Sequence, residues 1–124
     1  MSLIMGERAT LPFIFNQTDL LAGTSQELIA PCDGFVNELH TTVQAAPTTG
    51  GAIGVGLGDT PTAVAGLSIT VADAAVKGTR QSAVATPGDA TRVVKKGDRI
   101  QVTAAAAFAT AGALNGYVEI VTGY

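Results

Sequence analysis

The sequence predicts a single all-β domain, an antiparallel β-sandwich of about eight strands. Apolar and polar residues alternate with a period of two in most of the chain, as in strands with one buried face. Clusters of Gly, Pro, Asp and Thr interrupt these runs at short intervals. Helical periodicity is nearly absent, and the alanine stretch 104–107 is too short to form a stable helix alone.

The composition fits one folded domain. The chain has 124 residues, of which 47% are hydrophobic and 14% charged, the reverse of the balance in disordered proteins. No strand–helix–strand pattern appears, so a parallel α/β sheet is a poor fit. The strand-like runs place these apolar residues on inward faces: Phe35, Leu39 and Val43; Leu67, Ile69 and Val71; Ile100, Val102, Ala104 and Phe108; Val118 and Ile120.

The N-terminal region leaves two interpretations open. Residues 11–15 read Leu-Pro-Phe-Ile-Phe and are apolar on both faces, while Pro12 favours an edge position because it has no N–H to donate. Residues 1–23 are therefore either an arm that docks on another molecule through Leu11, Phe13 and Phe15, or the first strand of the fold. The β-sandwich domain is expected over residues 24–124.

A glycine-lined strand follows the Pro-, Thr- and Gly-rich loop at 47–51. Ile53, Val55 and Leu57 alternate with glycines, so one whole face lacks side chains and something is expected to approach it closely. The approaching group is either a ring within the domain or the backbone of another subunit. A second stretch, 104–113, carries alanine on both faces. The candidate subunit-interface residues are Gly54, Gly56, Gly58, Ala105 and Ala107.

The outward strand faces carry Thr, Ala, Gly and Ser far more often than Lys or Glu. Such faces lose little hydration and little side-chain entropy when they are covered. We therefore expect a closed homo-oligomer, with a trimer favoured and a dimer possible. The alternative is a monomer with a Thr-rich surface.

Several partners and compartments are disfavoured. The net charge is −3, the pI is near 4.8, and the seven Lys and Arg residues are scattered except for Lys95 and Lys96, which argues against nucleic-acid binding. No apolar run approaches the ~20 residues of a membrane helix. The start of the chain lacks the features of a signal peptide, so synthesis in the cytoplasm is expected.

Catalytic chemistry is also disfavoured, and we predict neither an enzyme nor a cofactor. Cys32 and His40 are too far apart along an extended chain to form a nucleophile pair. A lone cysteine excludes an intrachain disulfide or a thiolate metal cluster. The turn aspartates lack the Asp-x-Asp spacing of a calcium site. These are Asp59, Asp73, Asp89 and Asp98.

One segment carries a family resemblance. Residues 93–102 (VVKKGDRIQV) resemble a Val-x-x-Gly-Asp-x-Ile-x-Val turn that recurs in trimeric jelly-roll domains of viral fibres and of complement- and tumour-necrosis-factor-like modules. In that turn Gly97 supplies the permissive torsion, Asp98 ties the chain, and Ile100 points inward.

The order of elements over residues 28–122 resembles the β-domains of small tailed-bacteriophage head decoration (cement) proteins and head fibres. The resemblance implies a jelly-roll sandwich that binds the major capsid protein on the outside of the virion, usually as a trimer. The alternative is a carbohydrate- or receptor-binding fibre domain, which clustering of Tyr117 and Tyr124 in a groove would favour.

Overall fold

The computed structural model describes residues 8–16, 25–104 and 112–122 and shows an all-β sandwich, as predicted. Its described part contains nine strands and one short 3-10 turn, Ala90–Arg92. The strands are β1 Arg8–Phe15, β2 Ser25–Ile29, β3 Gly34–Ala45, β4 Gly51–Leu57, β5 Thr62–Val71, β6 Arg80–Val84, β7 Val93–Val94, β8 Arg99–Ala104 and β9 Ala113–Thr122.

Two antiparallel sheets form the layers of the sandwich. Sheet A has the order β1-β9-β3-β6, with β7 pairing the start of β3 beyond β6. Sheet B has the order β2-β8-β4-β5. Most consecutive strands lie in opposite sheets, so the chain passes repeatedly from one sheet to the other, as in a jelly roll. No helix in the described ranges is long and apolar enough to cross a membrane.

The core lies between the sheets and is built from the predicted inward positions. Leu67, Ile69 and Val71 of β5 are buried, and so are Ile100, Val102 and Ala104 of β8. Phe108 lies outside the described residues. The largest fully buried side chains are Phe15, Leu39, Ile53, Leu67, Ile100, Leu114 and Ile120.

The prediction that Phe35 shares a face with Leu39 and Val43 is wrong, because β3 contains a bulge. Val36 pairs with Ile120 and Glu38 with Glu119, so Asn37 has no partner in β9. The extra residue shifts the alternation by one position. Val36 is therefore buried, while Phe35 lies half-exposed on the outer face beneath the Arg92 guanidinium, 4.7 Å from its ring centre.

The described part of the N-terminal region forms the first strand of the fold. Residues 8–15 form β1, the edge strand of sheet A, paired along its length with β9. Phe13 and Phe15 are 2% and 0% exposed and Leu11 packs against the core, so these side chains are not presented for docking. Pro12 and Ile14 are the exposed members of the run, and Ile14 is 64% exposed. Pro12 stands on an edge strand, as predicted.

Two glutamines connect the sheets where the sandwich is open. The Gln26 side chain of β2 exchanges hydrogen bonds with the main-chain N–H and C=O of Ile14 in β1. On the opposite side, Gln81 Nε2 donates to the Thr70 carbonyl at 3.0 Å, which joins β6 to β5. These contacts occupy edge groups that would otherwise pair with another strand.

The turn before β8 forms as predicted. Gly97 has φ +92°, a conformation that favours glycine. The Asp98 carboxylate accepts from the Lys95 N–H at 2.8 Å, and Ile100 is fully buried. The neighbouring strand end is tied to this turn, because Ala30 accepts from Gly97 and donates to the Asp98 carbonyl, both at 2.9 Å.

Candidate functional site

The outer face of sheet B contains the glycine positions that the sequence singles out. Register places Gly54 between Thr103 and Ser68, and Gly56 between Gln101 and Ala63. Small or uncharged residues therefore occupy the middle of this face, and the charged side chains lie toward its β2 edge.

A shallow cavity of about 230 Å³ opens at this point, small beside typical ligand pockets. It lies where β5 departs from β4: the pairing skips from Ser68 to Ala63 while β4 advances only from Gly54 to Gly56. The lining residues are Gly54, Val55, Gly56, Pro61, Ala63, Gln101 and Thr103. We call this feature the glycine cavity.

The two glycines of the cavity have different surroundings. A Cβ on Gly56 would lie 3.0 Å from Cβ of Pro61, so here a ring of the same domain makes the close approach. A Cβ on Gly54 would meet only the Leu67 carbonyl, at 3.9 Å, which leaves open space above it. Gly58 lies in the turn after β4 with φ +94°. Ala105 and Ala107 lie outside the described residues.

The polar side chains beside the glycine cavity hydrogen-bond to one another. Glu27 accepts from Arg99 Nε at 2.8 Å and from Gln101 Nε2 at 2.9 Å. Thr103 Oγ1 donates to Gln101 Oε1 at 3.3 Å and shares a 3.0 Å hydrogen bond with Ser25 Oγ. The bonds from Arg99 and then Gln101 lower the pKa of Glu27, which keeps this carboxylate ionised. The network holds the cavity wall in place.

The outer face of sheet A has a different character. Its centre is a cross-strand pair in which His40 of β3 and Tyr117 of β9 stack with ring centres 4.5 Å apart and planes 19° apart. On one side, Gln44 Nε2 donates to Asn115 Oδ1 at 2.8 Å. On the other, Glu38 Oε1 lies 3.5 Å from His40 Nε2. Tyr124, the other predicted tyrosine, lies outside the described residues.

Glu119 is the buried charge of this face, with its residue 7% exposed. Arg8 Nη1 contacts its carboxylate at 2.9 Å, and Asn37 Nδ2 donates to it at 3.3 Å. Burial alone would raise the pKa of Glu119, but hydrogen bonding with Glu38 and these two groups lowers it overall. The carboxylate is therefore ionised and fixed in orientation.

The structure does not bring Cys32 and His40 together in a nucleophile site. Cys32 packs against the core, whereas His40 stacks on the outer face of sheet A. Within residues 8–16, 25–104 and 112–122, no cluster of three or more His, Cys, Asp or Glu side chains is arranged to hold a metal. Three turn aspartates, Asp73, Asp89 and Asp98, instead accept hydrogen bonds from main-chain N–H groups, as Asp89 does from Thr91 at 2.9 Å.

Sequence reasoning missed the Glu27 network, the Glu119 ion pair and the His40–Tyr117 stack. Each joins strands that are far apart in the chain, and alternation alone does not say which strands are neighbours. The outward parity of His40 and Tyr117 was visible in the sequence, but their contact depends on the pairing of β3 with β9.

Comparison with known proteins defines the fold. No family model and no curated protein matches the sequence. The CBM36-1 domain of a multidomain xylanase from the Trinervitermes trinervoides hindgut metagenome is similar over 95% of this chain and 99% of that domain, with a TM-score of 0.57 and 7% identity.

Two further solved structures are similar. A family 43 arabinoxylan arabinofuranohydrolase from Bacillus subtilis matches 82% of this chain with a TM-score of 0.48 and 16% identity, and the chain spans only 20% of its length. The similarity to the SPBc2 prophage-derived protein YomS extends over 95% of this chain and 99% of that protein, with a TM-score of 0.46 and 12% identity. The chain thus has the β-sandwich architecture found in the CBM36-1 domain.

Proposed function

We propose that this chain is a non-catalytic decoration protein of a virus particle that attaches to the assembled capsid through the outer face of sheet B. The observation that carries the proposal is the glycine cavity, an opening of about 230 Å³ with uncharged lining residues, smaller than a typical ligand pocket. A recess of this size suits one protruding side chain of a protein surface better than a free ligand.

The polar groups around the cavity are suited to a contact from which water is excluded. Because Glu27, Gln101 and Thr103 already hydrogen-bond to neighbouring side chains, covering them leaves few groups without partners. Gly54 and Gly56 lose no side-chain entropy on binding. An apolar side chain buried in the cavity would contribute about 1.5–3 kcal/mol.

One such contact is weak, so attachment depends on several copies. A trimer whose subunits meet elsewhere than at the glycine cavity would place three cavities on one capsid junction, and simultaneous engagement would raise the affinity without new contacts. Binding to the assembled shell but not to loose subunits would stabilise the shell by mass action. The trimer is part of the proposal, and light scattering coupled to size-exclusion chromatography measures it: a strict monomer at high concentration would reject it.

The viral assignment rests on the sequence resemblance to head decoration proteins. The Gly97–Asp98 turn that contributes to that resemblance adopts the expected conformation and hydrogen bonds. The carbohydrate-binding alternative concerns the opposite face of the sandwich, where the aromatic side chains lie.

The Gly54→Val variant tests the docking surface directly. A Cβ at this position meets one atom at 3.9 Å, so a side chain has room to start there, and the two methyl groups of valine would occupy the cavity that Gly54 lines. We expect wild type to bind undecorated capsids stoichiometrically and raise their melting temperature, and Gly54→Val to lose at least tenfold in affinity, the equivalent of about 1.4 kcal/mol.

Thr70→Val is the matched control, since it adds an apolar group to the same sheet outside the cavity lining. It should bind as wild type does. Equal binding by Gly54→Val and wild type would reject the cavity as the docking point. Absence of wild-type binding to capsids would reject the decoration role itself.

A further inference from the structure

The outer face of sheet A carries a strip of side chains with no role in the proposed capsid attachment. The strip consists of Glu38, His40 and Gln44 on β3 and of Asn115 and Tyr117 on β9. We infer that this strip is a second binding site and that its ligand is an oligosaccharide, which goes beyond the proposed attachment function.

Strand register places the strip in consecutive rows. Glu38 is paired with Glu119, His40 with Tyr117, and Thr42 with Asn115. Outward residues of one strand repeat about every 6.8 Å, and neighbouring strands lie about 4.8 Å apart. From Glu38 to Gln44 the strip is about 20 Å long, which accommodates several sugar rings in a row.

The chemistry of the rows matches the two kinds of surface on a sugar. The stacked His40 and Tyr117 rings cover one face of each other, so the apolar C–H groups of a pyranose contact the remaining surface of the pair. The Gln44–Asn115 amide pair, bonded at 2.8 Å, both donates and accepts. Glu38 contacts His40 through Oε1 and Arg8 through Oε2, both at 3.5 Å, and each oxygen has a further lone pair that accepts from a sugar hydroxyl group.

The strip is both accessible and held in place. The His40 and Glu38 side chains are 29% and 22% exposed, so a ligand reaches them without opening the fold. Arg8, which contacts Glu119 at 2.9 Å and Glu38 at 3.5 Å, fixes the carboxylate row. A site that is ordered before binding loses less side-chain entropy when the ligand arrives.

Other ligand classes fit the strip less well. An anion would be repelled by the ionised Glu119 of the same row, and Arg8, the cation beside it, is already paired with that carboxylate. A purely apolar partner would cover the amides and carboxylates without giving them new hydrogen bonds, which is costly. A chain of hydroxyl groups on an apolar ring satisfies both the aromatic and the polar members.

Nuclear magnetic resonance titration of the full-length chain tests this inference. The probes are soluble hexasaccharides of β-1,4-glucose, β-1,4-xylose, β-1,4-N-acetylglucosamine and β-1,4-mannose. We expect at least one probe to cause saturable shifts of backbone amides in β3 and β9, with weak affinity. Absence of saturable shifts with every probe, or shifts confined to sheet B, would overturn the inference.

Substitutions in the strip provide the second readout. His40→Ala and Tyr117→Ala should each weaken binding by up to about tenfold, the effect of losing an aromatic contact. If Tyr117→Ala fails to fold, Gln44→Ala replaces it as a test, because Gln44 is exposed, and this variant should also weaken sugar binding. Gly54→Val on sheet B is the matched control and should bind sugar as wild type does.

The two sites separate cleanly in this design. Capsid binding should be lost in Gly54→Val and kept in His40→Ala, and sugar binding should show the opposite pattern. Sugar binding that survives both His40→Ala and Gln44→Ala would place the site elsewhere and overturn the inference, whatever the outcome of the capsid experiment.

Discussion

Strand β1 allows a quantitative test of whether the N-terminal region belongs to the sandwich. Phe15 is fully buried and Phe13 nearly so, and their rings lie 5.5 Å apart in the core. Removing a buried aromatic ring loses the hydrophobic transfer energy and leaves a cavity, which together cost about 3–5 kcal/mol. We therefore expect Phe15→Ala to lower the free energy of unfolding by about this amount.

Urea denaturation of the isolated chain, followed by far-ultraviolet circular dichroism, measures the effect. With an unfolding entropy of about 2.1 cal/mol/K per residue, the loss corresponds to a Tm about 10–20 °C lower for a domain of this size. Ile14→Ala is the matched control on the same strand, because Ile14 is 64% exposed. This variant should lower the free energy of unfolding by less than about 1 kcal/mol. Equal stability of Phe15→Ala and wild type would mean that β1 is not part of the folded domain, and would restore the docking arm.

Three further outcomes follow from local features. Gly97→Ala, at φ +92°, should lower the unfolding free energy by about 1–2 kcal/mol in the same urea assay, and an unchanged midpoint would contradict the turn assignment. Gln26→Ala removes the hydrogen bonds to Ile14 and should lower the free energy of unfolding by about 1 kcal/mol. The same variant should aggregate more through its free strand edge, which light scattering measures. Because its folded pKa is lowered, Glu119 stabilises the fold fully above its unfolded pKa of about 4.3, and this contribution is lost as pH falls through the folded value. Glu119→Gln should thus be less stable than wild type at pH 7 and approach it in strong acid; a pH-independent difference would show that the contacts of this carboxylate with Glu38, Asn37 and Arg8 are not responsible.

Local chemistry explains why much of the fold is predictable from the sequence. Alternation of Leu67, Ile69 and Val71 needs no knowledge of neighbouring strands, because period two alone assigns them to one face. The Gly97–Asp98 turn is equally local, since its torsion and its hydrogen bonds arise within a few residues. These are the features that the sequence predicts correctly.

Features that depend on pairing are not accessible in this way. The bulge at Asn37 moves Phe35 to the outer face; the alternation breaks there, since apolar Phe35 and Val36 are followed by polar Asn37 and Glu38, but the break alone does not tell which residue is the extra one. The same limit applies to the candidate sites. The glycine face of β4 is visible in the sequence, but the cavity exists because β5 leaves the sheet beside Val55 while Pro61 covers Gly56.

The two outer faces differ in the side chains that they present, and this difference favours separate partners. On sheet B, Arg99, Glu27 and Gln101 bond to one another, so this face gains from contact with a dry, complementary protein surface. On sheet A the polar side chains are also paired, but the stacked His40 and Tyr117 rings add aromatic surface, so a ligand that combines hydroxyl groups with apolar ring faces gains interactions there. Since the faces lie on opposite sides of one core, a particle-bound copy that docks through sheet B would present sheet A to the surroundings. Attachment and sugar recognition are therefore compatible in the same molecule.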